Sequence, residues 1–464
     1  MPAEPALEQT QCYGSGESHK RVMMIRTVDE PGQQTPVVVE TDVVVVGGGP
    51  AGQAAAVAAA RAGAEVTLLE RYGYLGGLAS GGMVLVLDDL CAEREVSVGG
   101  LALEIIDRMR RIGACVVPPM EDCFRNDADV RDRWVRWGFE ELYARTKPKP
   151  IVYCGSFDPE GWKQVSQEMA LEAGVHLRFH SWFSRALVEG DAVRGVVVET
   201  KAGRQAILGR VVIDTTGDGD VFASAGAPAV QGSYIMTLVH RLADVDTDAA
   251  IRFEKSDPAA AQQLDREVKL LLGGSWNMWW LLTPRPGVVW CNCPHIPGYD
   301  GLNPEHQTHI EIEGRRRFMK VLEFVRANVP GFQRAYILDA APQVGVRQTR
   351  LLEGEYVVTK GDIVGRRSFP DVVARGRDYY TPYRSLVPKH VDGLLVAGRC
   401  YSATPEAQRV SREIPPVMVM GEAAGTAAAL SLESGVAPRR VDVTVLQKRL
   451  IAQGVNLTTP LPVA

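Results

Sequence analysis

Apolar positions first cluster at Val43-Val44-Val45-Val46, after Thr41-Asp42, and so short and unbroken a run predicts a strand buried on both faces of a parallel sheet. Gly47-Gly48-Gly49-Pro50-Ala51-Gly52 follows, then an Ala-rich stretch to about Ala62 that predicts a helix. Glu65 to Leu69 predicts a second strand ending at Glu70. Further on, the pattern gives a helix over Trp162 to Ala173 and strands near Val175 to Phe179, Ala186 to Glu189 and Gly195 to Thr200. A turn at Lys201-Ala202-Gly203 leads to Ile207-Leu208 and to a strand at Val211-Val212-Ile213. These turn-punctuated strands predict a β-meander attached to the parallel sheet. A third apolar strand, Gly393 to Ala397, precedes a long Ala-rich helix from about Pro416 to Ser434. Chain segments from both ends and the middle therefore build one sheet. The stretches from 91 to 150 and from 230 to 384 follow no clear period, hold most of the tryptophans and are expected to form a substrate domain and its lid.

The spacing Gly47-x-Gly49-x-x-Gly52 sits between the first strand and the first helix. There the first glycine permits a tight turn, the second lets a pyrophosphate approach the backbone and the third lets helix and strand pack closely. The pyrophosphate then meets free N–H groups at the helix N-terminus. Glu70 ends the next strand, where a carboxylate accepts hydrogen bonds from a ribose. Strand, glycines, helix and acid together predict a dinucleotide site.

Composition narrows the partners. At 464 residues the chain exceeds one ordinary core and is long enough to enclose a large cofactor. No apolar run reaches the roughly 18 residues that a membrane-spanning helix needs. The net charge is −5 without a long basic run, which argues against nucleic acid. The eight cysteines include no Cys-x-x-Cys pair, and Cys291-Asn292-Cys293 has the wrong spacing for a zinc knuckle or a dithiol redox motif, so no metal is expected. Residues 1 to 36 are polar and lack the apolar core of a secretory signal. A soluble cytoplasmic protein with a flexible N-terminal extension is the expectation.

The residues after Glu70 separate FAD from NAD. Arg71-Tyr72-Gly73-Tyr74-Leu75-Gly76-Gly77-Leu78-Ala79-Ser80-Gly81-Gly82-Met83 resembles the glycine-rich continuation found in the glutathione-reductase-like FAD/NAD(P)-binding superfamily. Asp214-Thr215-Thr216-Gly217-Asp218-Gly219-Asp220 resembles its second FAD stretch, and Ala397-Gly398-Arg399 with the following helix its third. The segments Gln343 to Tyr356, Pro382 to Pro388, Gly393 to Thr404 and Gly421 to Ala428 resemble the family of FAD-dependent oxidoreductases. Against that pattern Gln348 and Glu422 stand where Glu and Gln are expected, and Pro416-Val417-Met418 replaces Pro-Thr-Cys.

The resemblance implies an α/β fold: a Rossmann-type FAD-binding domain from 37–90, 151–229 and 385–440, an inserted α+β substrate or cap domain from 91–150 and 230–384, and a tail from 441. It implies FAD contact by Gly47, Gly49, Pro50, Ala51, Gly52, Glu70, Arg71, Gly76, Gly77, Ser80, Gly81, Asp214, Gly217, Asp218, Gly398, Arg412, Val417 and Met418. It also places Arg412 beside the last helix, whose N-terminus would stabilise reduced flavin. For the base that takes the substrate's proton, His240, His295, His306 and His309 are candidates, His295 foremost because its proline-rich loop would face the flavin. Tyr383 and Arg384 are candidates to bind a substrate oxygen, and Trp276-Asn277-Met278-Trp279-Trp280 to line an aromatic pocket.

The function expected is a FAD-dependent dehydrogenase or oxidase acting on a small organic molecule, with oxygen, a quinone or a carrier protein as electron acceptor. A homo-oligomer is compatible with it. A single dinucleotide motif and no cysteine pair count against a disulfide reductase. A NAD(P)H-using flavin monooxygenase is the alternative, although Gly398-Arg399-Cys400 replaces the Gly-Asp usual there. An electron-transfer subunit is a third reading, and the lack of clustered cysteines argues against it.

Overall fold

The computed structural model describes residues 27–92, 95–141, 147–275 and 278–458. It falls into two units, Met1–Thr35 and Pro36–Ala464. Of the first, residues 27–35 are described, and they carry neither helix nor strand. The second unit holds all the described helices and strands.

Its largest sheet is built around β1 (Val37–Val46), which pairs in parallel with β2 (Val66–Leu69) on one side and with β6 (Gly203–Asp214) on the other. The short strand β3 (His176–Arg178) extends the sheet beyond β2, also in parallel. The first half of β6 turns back antiparallel on β5 (Ala192–Thr200), and β5 on β4 (Trp182–Glu189), which is the expected meander. The last three residues of β6 pair instead with β10 (Leu394–Val396), in parallel. Ile207-Leu208 and Val211 to Ile213, read as separate strands, are one continuous strand because β1 pairs along nearly all of it. The fold is thus mixed α/β with a parallel core.

The four valines show why the run is unbroken. Val43 and Val45 pack into one core cluster with α1 (Pro50–Arg61) and α6 (Ile414–Ser434), while Val44 and Val46 enter a second cluster on the opposite face with Val196, Val198 and Phe222. A strand covered on both sides has no place for alternation. Helix α6 starts two residues earlier than expected, at Ile414, with Pro415 and Pro416 inside its first turn, where a missing N–H breaks no helical bond. It lies against α1 at small residues: a side chain at Gly421 or Gly425 would overlap the carbonyls of Ala51 and Ala55.

A separate four-stranded sheet is ordered Leu281–Leu282, β8 (Val289–Cys291), β7 (His240–Ala243) and β9 (Tyr336–Ala340), with α4 (Pro304–Asn328) beside it. Trp279 and Trp280 pack on Phe332, with ring centroids 5.2 and 5.6 Å away, and belong to this core with Val321 and Val325. The expected aromatic pocket is therefore core at these two positions, and Trp276 and Asn277 lie outside the described residues. Cys291 and Cys293 are buried there as well. No described helix is long and apolar enough to cross a membrane.

Helix α2 (Leu101–Arg111) begins against α6, where the Leu101 amide donates to Glu422 at 2.8 Å. Burial pushes the Glu422 carboxyl up to about 7, although the Leu101 amide and Arg61 favour its charged form. A carboxyl whose value is higher folded than unfolded adds stability while it is protonated, below its unfolded value near 4.5, and that contribution is lost as pH rises through about 7. The difference corresponds to about 3 kcal/mol. Glu422→Gln keeps the acceptor and removes the charge, so the drop in unfolding midpoint between pH 5 and pH 8 should shrink, with the variant the more stable at pH 8. Equal pH slopes for the two proteins in denaturant melts would refute it.

Candidate functional site

Helix α1 is entered through Gly49 at its N-cap and Pro50 at its first position. The glycines have different reasons to be glycine. A Cβ on Gly52 would overlap the Gly47 carbonyl, so this position is fixed by strand-to-helix packing. A Cβ on Gly49 would meet nothing nearer than Gly77 Cα at 3.9 Å, and Gly49 has an ordinary φ of −68°. Nothing among the described residues demands a glycine there, whereas a pyrophosphate lying on the backbone would.

The other predicted segments converge on this turn. The Gly76 amide donates to the Gly48 carbonyl at 2.8 Å, which lays Gly76-Gly77 beside Gly48-Gly49. The Thr215 hydroxyl reaches the Val46 and Gly47 carbonyls, and Gly398 abuts Ala51. Glu70 is buried at the end of β2, where its carboxylate accepts from the Gly48 amide at 2.8 Å and the Tyr72 amide at 2.9 Å. Burial raises its pKa against those hydrogen bonds. Asp218 accepts from Arg399 at 2.9 Å and from Thr349 at 2.8 Å, and Gly217 packs on the same guanidinium. The other terminal nitrogen of Arg399, Nη1, is buried and has no hydrogen-bond partner among the described residues.

Other expected contacts have inward-turned side chains. Asp214 is fully buried and accepts from Thr216, Val221 and Phe222, so its carboxylate shapes the turn and does not point to a ligand; burial pushes it up to about 6. The Ser80 hydroxyl donates to the Leu75 carbonyl. Gly81 is held through its own carbonyl by the Gln343 amide, and Arg71 lies over the Tyr72 and Trp182 rings. Val417 is buried, and Met418 lines a small cavity with Gln53, Ala54 and Met169, the last on α3 (Pro159–Glu172).

The chain from Gln343 to Arg350 ties this cradle to a small three-stranded sheet. In that sheet Met236–Thr237 lies between His295–Ile296 and Gly345–Val346. Gln343 bonds Gly81 and the Tyr74 hydroxyl at one end of the segment, while Thr349 and Arg350 bond Asp218 at the other. Arg347, between them, donates to the Thr237 hydroxyl at 3.1 Å and to Asn292 at 3.4 Å. Gln408, on α5 (Pro405–Ser411), bonds the carbonyls of both Arg347 and Arg399, and Arg412 follows directly.

Burial and the charge of Arg412 push Arg347 down to about 10, so it stays charged at neutral pH. Burial and Arg347 push His295 down to about 4, which keeps it neutral. His295 lies in the three-stranded sheet with Thr237, and a group of so low a proton affinity is a poor base near neutrality. His240 is buried in β7 with its ring stacked on Phe318, and His306 and His309 pack around Tyr299 on the first turns of α4. Tyr383 donates to the Pro438 carbonyl from a buried position, and Arg384 forms a two-point ion pair with Asp371, so both are engaged within the fold.

Asp88 was not foreseen. Burial, Glu413 and Asp89 raise its pKa well above that of an ordinary carboxyl, while Arg412 opposes the rise. It shares a cleft with Asp89, Glu141, Tyr153 and Arg377. Asp89 adopts φ +62°, a left-handed conformation that turns the loop there. A lone Asp carries no motif, and Arg347 lay unassigned inside the Gln343 to Tyr356 stretch. Among the described residues no group of three or more His, Cys, Asp or Glu could hold a metal.

A family model described as FAD dependent oxidoreductase matches residues 42–378 and 375–450. Among curated proteins none matches. Solved structures with a similar fold include a geranylgeranyl bacteriochlorophyll reductase-like protein from Thermoplasma acidophilum (15% identity, 90% of this chain and 84% of that one, TM-score 0.46). Two others are p-nitrophenol 4-monooxygenase PnpA from Pseudomonas putida (15% identity, 89% and 84%, TM-score 0.48) and the myxobacterial chondrochloren halogenase CndH (12% identity, 89% and 78%, TM-score 0.43).

Proposed function

Since the chain belongs to the FAD dependent oxidoreductase family, and is thus a FAD enzyme, we propose that it is a dehydrogenase or oxidase taking hydride from a small organic substrate held between the glycine cradle and the Thr237, His295 and Arg347 sheet. The observation that carries this reading is a half-buried carboxyl, Asp88, lining a cleft with Asp89, Glu141 and Arg377, where burial raises its proton affinity. Oxidation of an alcohol or amine needs a proton acceptor as well as a hydride acceptor.

Gly47 to Gly52, Glu70, Gly76-Gly77 and Arg399 would hold FAD, which would supply the hydride acceptor when bound. Asp88 accepts the substrate proton, its basicity raised by burial, and releases it through the cleft it shares with Asp89 and Glu141. Arg412 and Arg347 hold positive charge where negative charge accumulates. The parallel sheet is read as a glutathione-reductase-like FAD domain, with 91–150 and 230–384 inserted as an α+β substrate domain. The electron acceptor is oxygen, a quinone or a carrier protein. Arg399 on Asp218 favours this reading over hydroxylation, since it occupies the place of the acid usual in hydroxylases.

The test is anaerobic mixing of the FAD-loaded protein with a panel of alcohols, amines and hydroxy acids. Substrate alone should bleach the flavin band near ~450 nm, and oxygen or a quinone should restore it. Bleaching only by NADPH, stimulated by an aromatic compound, would replace this reading with the monooxygenase one.

A further inference from the structure

Cys291 and Cys293 are thiols for which the flavin chemistry has no use. In a straight strand, residues two apart have α-carbons ~6.6 Å apart, near the upper limit that a disulfide bridges. Here the chain turns as it leaves β8, because the Cys293 amide donates to the Cys291 carbonyl at 2.9 Å. Such a tight turn draws its ends together, toward the ~5.5–6 Å most common across a disulfide. The two thiols are hydrogen-bonded to each other. A one-residue spacing that is wrong for a redox pair in an extended chain is thus suited to one in this turn.

Both thiols are fully buried, and a buried thiol is ordinarily inert. The surroundings set this pair apart. His240 stands opposite Cys291 in the register of β7 on β8, which puts the two side chains on one face, and its Nδ1 lies 3.2 Å from the Cys293 carbonyl. Burial opposes a thiolate at Cys291, but the Cys293 thiol and the His240 imidazole outweigh it and hold Cys291 below an ordinary thiol. Burial and Cys291 push Cys293 up. The other described cysteines, Cys91, Cys115, Cys123, Cys154 and Cys400, are pushed up by burial. Between the two sulfurs, Asn292 reaches the substrate sheet: its side-chain carbonyl accepts from Arg347 at 3.4 Å, and its backbone bonds the His295 ring.

We propose that Cys291 and Cys293 are a peroxide-responsive dithiol, which closes into a disulfide and thereby shifts Asn292 and its hold on Arg347. The Cys291 sulfur attacks hydrogen peroxide, forming an S–O bond as the O–O bond breaks and hydroxide leaves. The Cys293 sulfur then displaces that oxygen, forming the S–S bond, and the oxygen departs as water with the Cys293 proton. Two thiols are oxidised by two electrons, and one peroxide is reduced to two waters. An oxidase that hands its electrons to oxygen releases this same oxidant. A bridge across a single residue is strained, and strained bridges are readily reduced, so a thiol reductant reopens it.

The dithiol does not depend on the substrate-oxidising reading and is tested on the full-length protein with hydrogen peroxide as the probe. Reduced protein is treated with peroxide, unfolded, alkylated and mapped by peptide mass. The peptide holding Cys291 and Cys293 should become two hydrogens lighter and lose its alkylation, and dithiothreitol should restore both thiols. Cys91, Cys115, Cys123, Cys154 and Cys400 should stay open to alkylation. In Cys293→Ala the first step has no partner to complete it, so dimedone should label Cys291; the wild-type map decides should that variant fail to fold. Hydrogen exchange over residues 343–350 should differ ~2-fold or more between the oxidised and reduced proteins, the scale of a coupled contact. The proposal is overturned if both thiols stay alkylatable, if the oxidised sulfurs pair elsewhere or pass to sulfinic acid, or if exchange over 343–350 is the same in both states.

Discussion

Gly49→Val is expected to give a folded, colourless protein. The added side chain meets no protein atom nearer than 3.9 Å at its Cβ, and φ −68° suits any L-residue, so the melting temperature of the FAD-free protein should change little. Valine at a helix N-cap is a poor choice, yet no side-chain cap is lost, because glycine provides none. What the methyl groups do occupy is the space in front of the backbone where a pyrophosphate would lie. FAD affinity should therefore fall at least ~100-fold, since each hydrogen bond taken from a charged ligand costs ~1.5–3 kcal/mol and several are removed together. Gly52→Val is the contrasting case. Its Cβ overlaps the Gly47 carbonyl, and the strand-to-helix turn cannot form around it, so that variant should lose thermal stability with or without FAD. Paired melts and FAD titrations decide. If Gly49→Val binds FAD like the wild type, the cradle is assigned to the wrong face of the turn; if it melts as early as Gly52→Val, the glycine is structural.

That contrast shows what the sequence conveyed and what it left out. Strand, turn and first helix were legible because each local preference agrees: valines buried on both faces, a glycine where helix and strand touch, proline at the first helical position. The meander and the last apolar strand were legible for the same reason, although Ile207 to Ile213 reads as two strands where pairing with β1 makes one. Side-chain direction was not legible. Asp214 and Asp218 look alike in a Gly-Asp-rich turn, yet one is folded inward onto backbone amides and the other turns to Arg399. Tyr383 and Arg384, inside a recognisable stretch, prove to be held by Pro438 and Asp371. The residues proposed to face the substrate were hidden for a different reason. Asp88, Thr237, Asn292, His295 and Arg347 come from loops and two-residue strands far apart in the chain, and no periodicity marks them.

Arg412→Met should bind FAD nearly as well as the wild type and reduce it much more slowly. The reason begins with α6. A helix N-terminus stabilises negative charge through its unbonded amides, but here Pro415 and Pro416 have none, and the Val417 amide is bonded to the Glu413 carbonyl at 3.2 Å. Only Glu413 and Ile414 have amides to offer ahead of the first helical bond. From sequence alone this helix end has the main stabilising role and Arg412 the supporting one; the two prolines reverse that weighting. Arg412 holds a full charge at the same end of the helix, largely buried, where neither water nor salt screens it as it would at the surface. Its loss should slow substrate reduction by ~10–1000-fold, the range for deleting one electrostatic stabiliser. For a two-electron couple a tenfold change in equilibrium is about 30 mV, so the midpoint potential should fall by ~30–90 mV. Arg412→Lys restores charge without the fork and should recover most of the potential but not the full rate. Potentiometric titration of the three proteins, beside anaerobic stopped-flow reduction, separates these terms. If Arg412→Met keeps both potential and rate, the guanidinium serves only as a partner for Glu413 and Asp88, and the charge that reduced flavin acquires must be balanced elsewhere in the site.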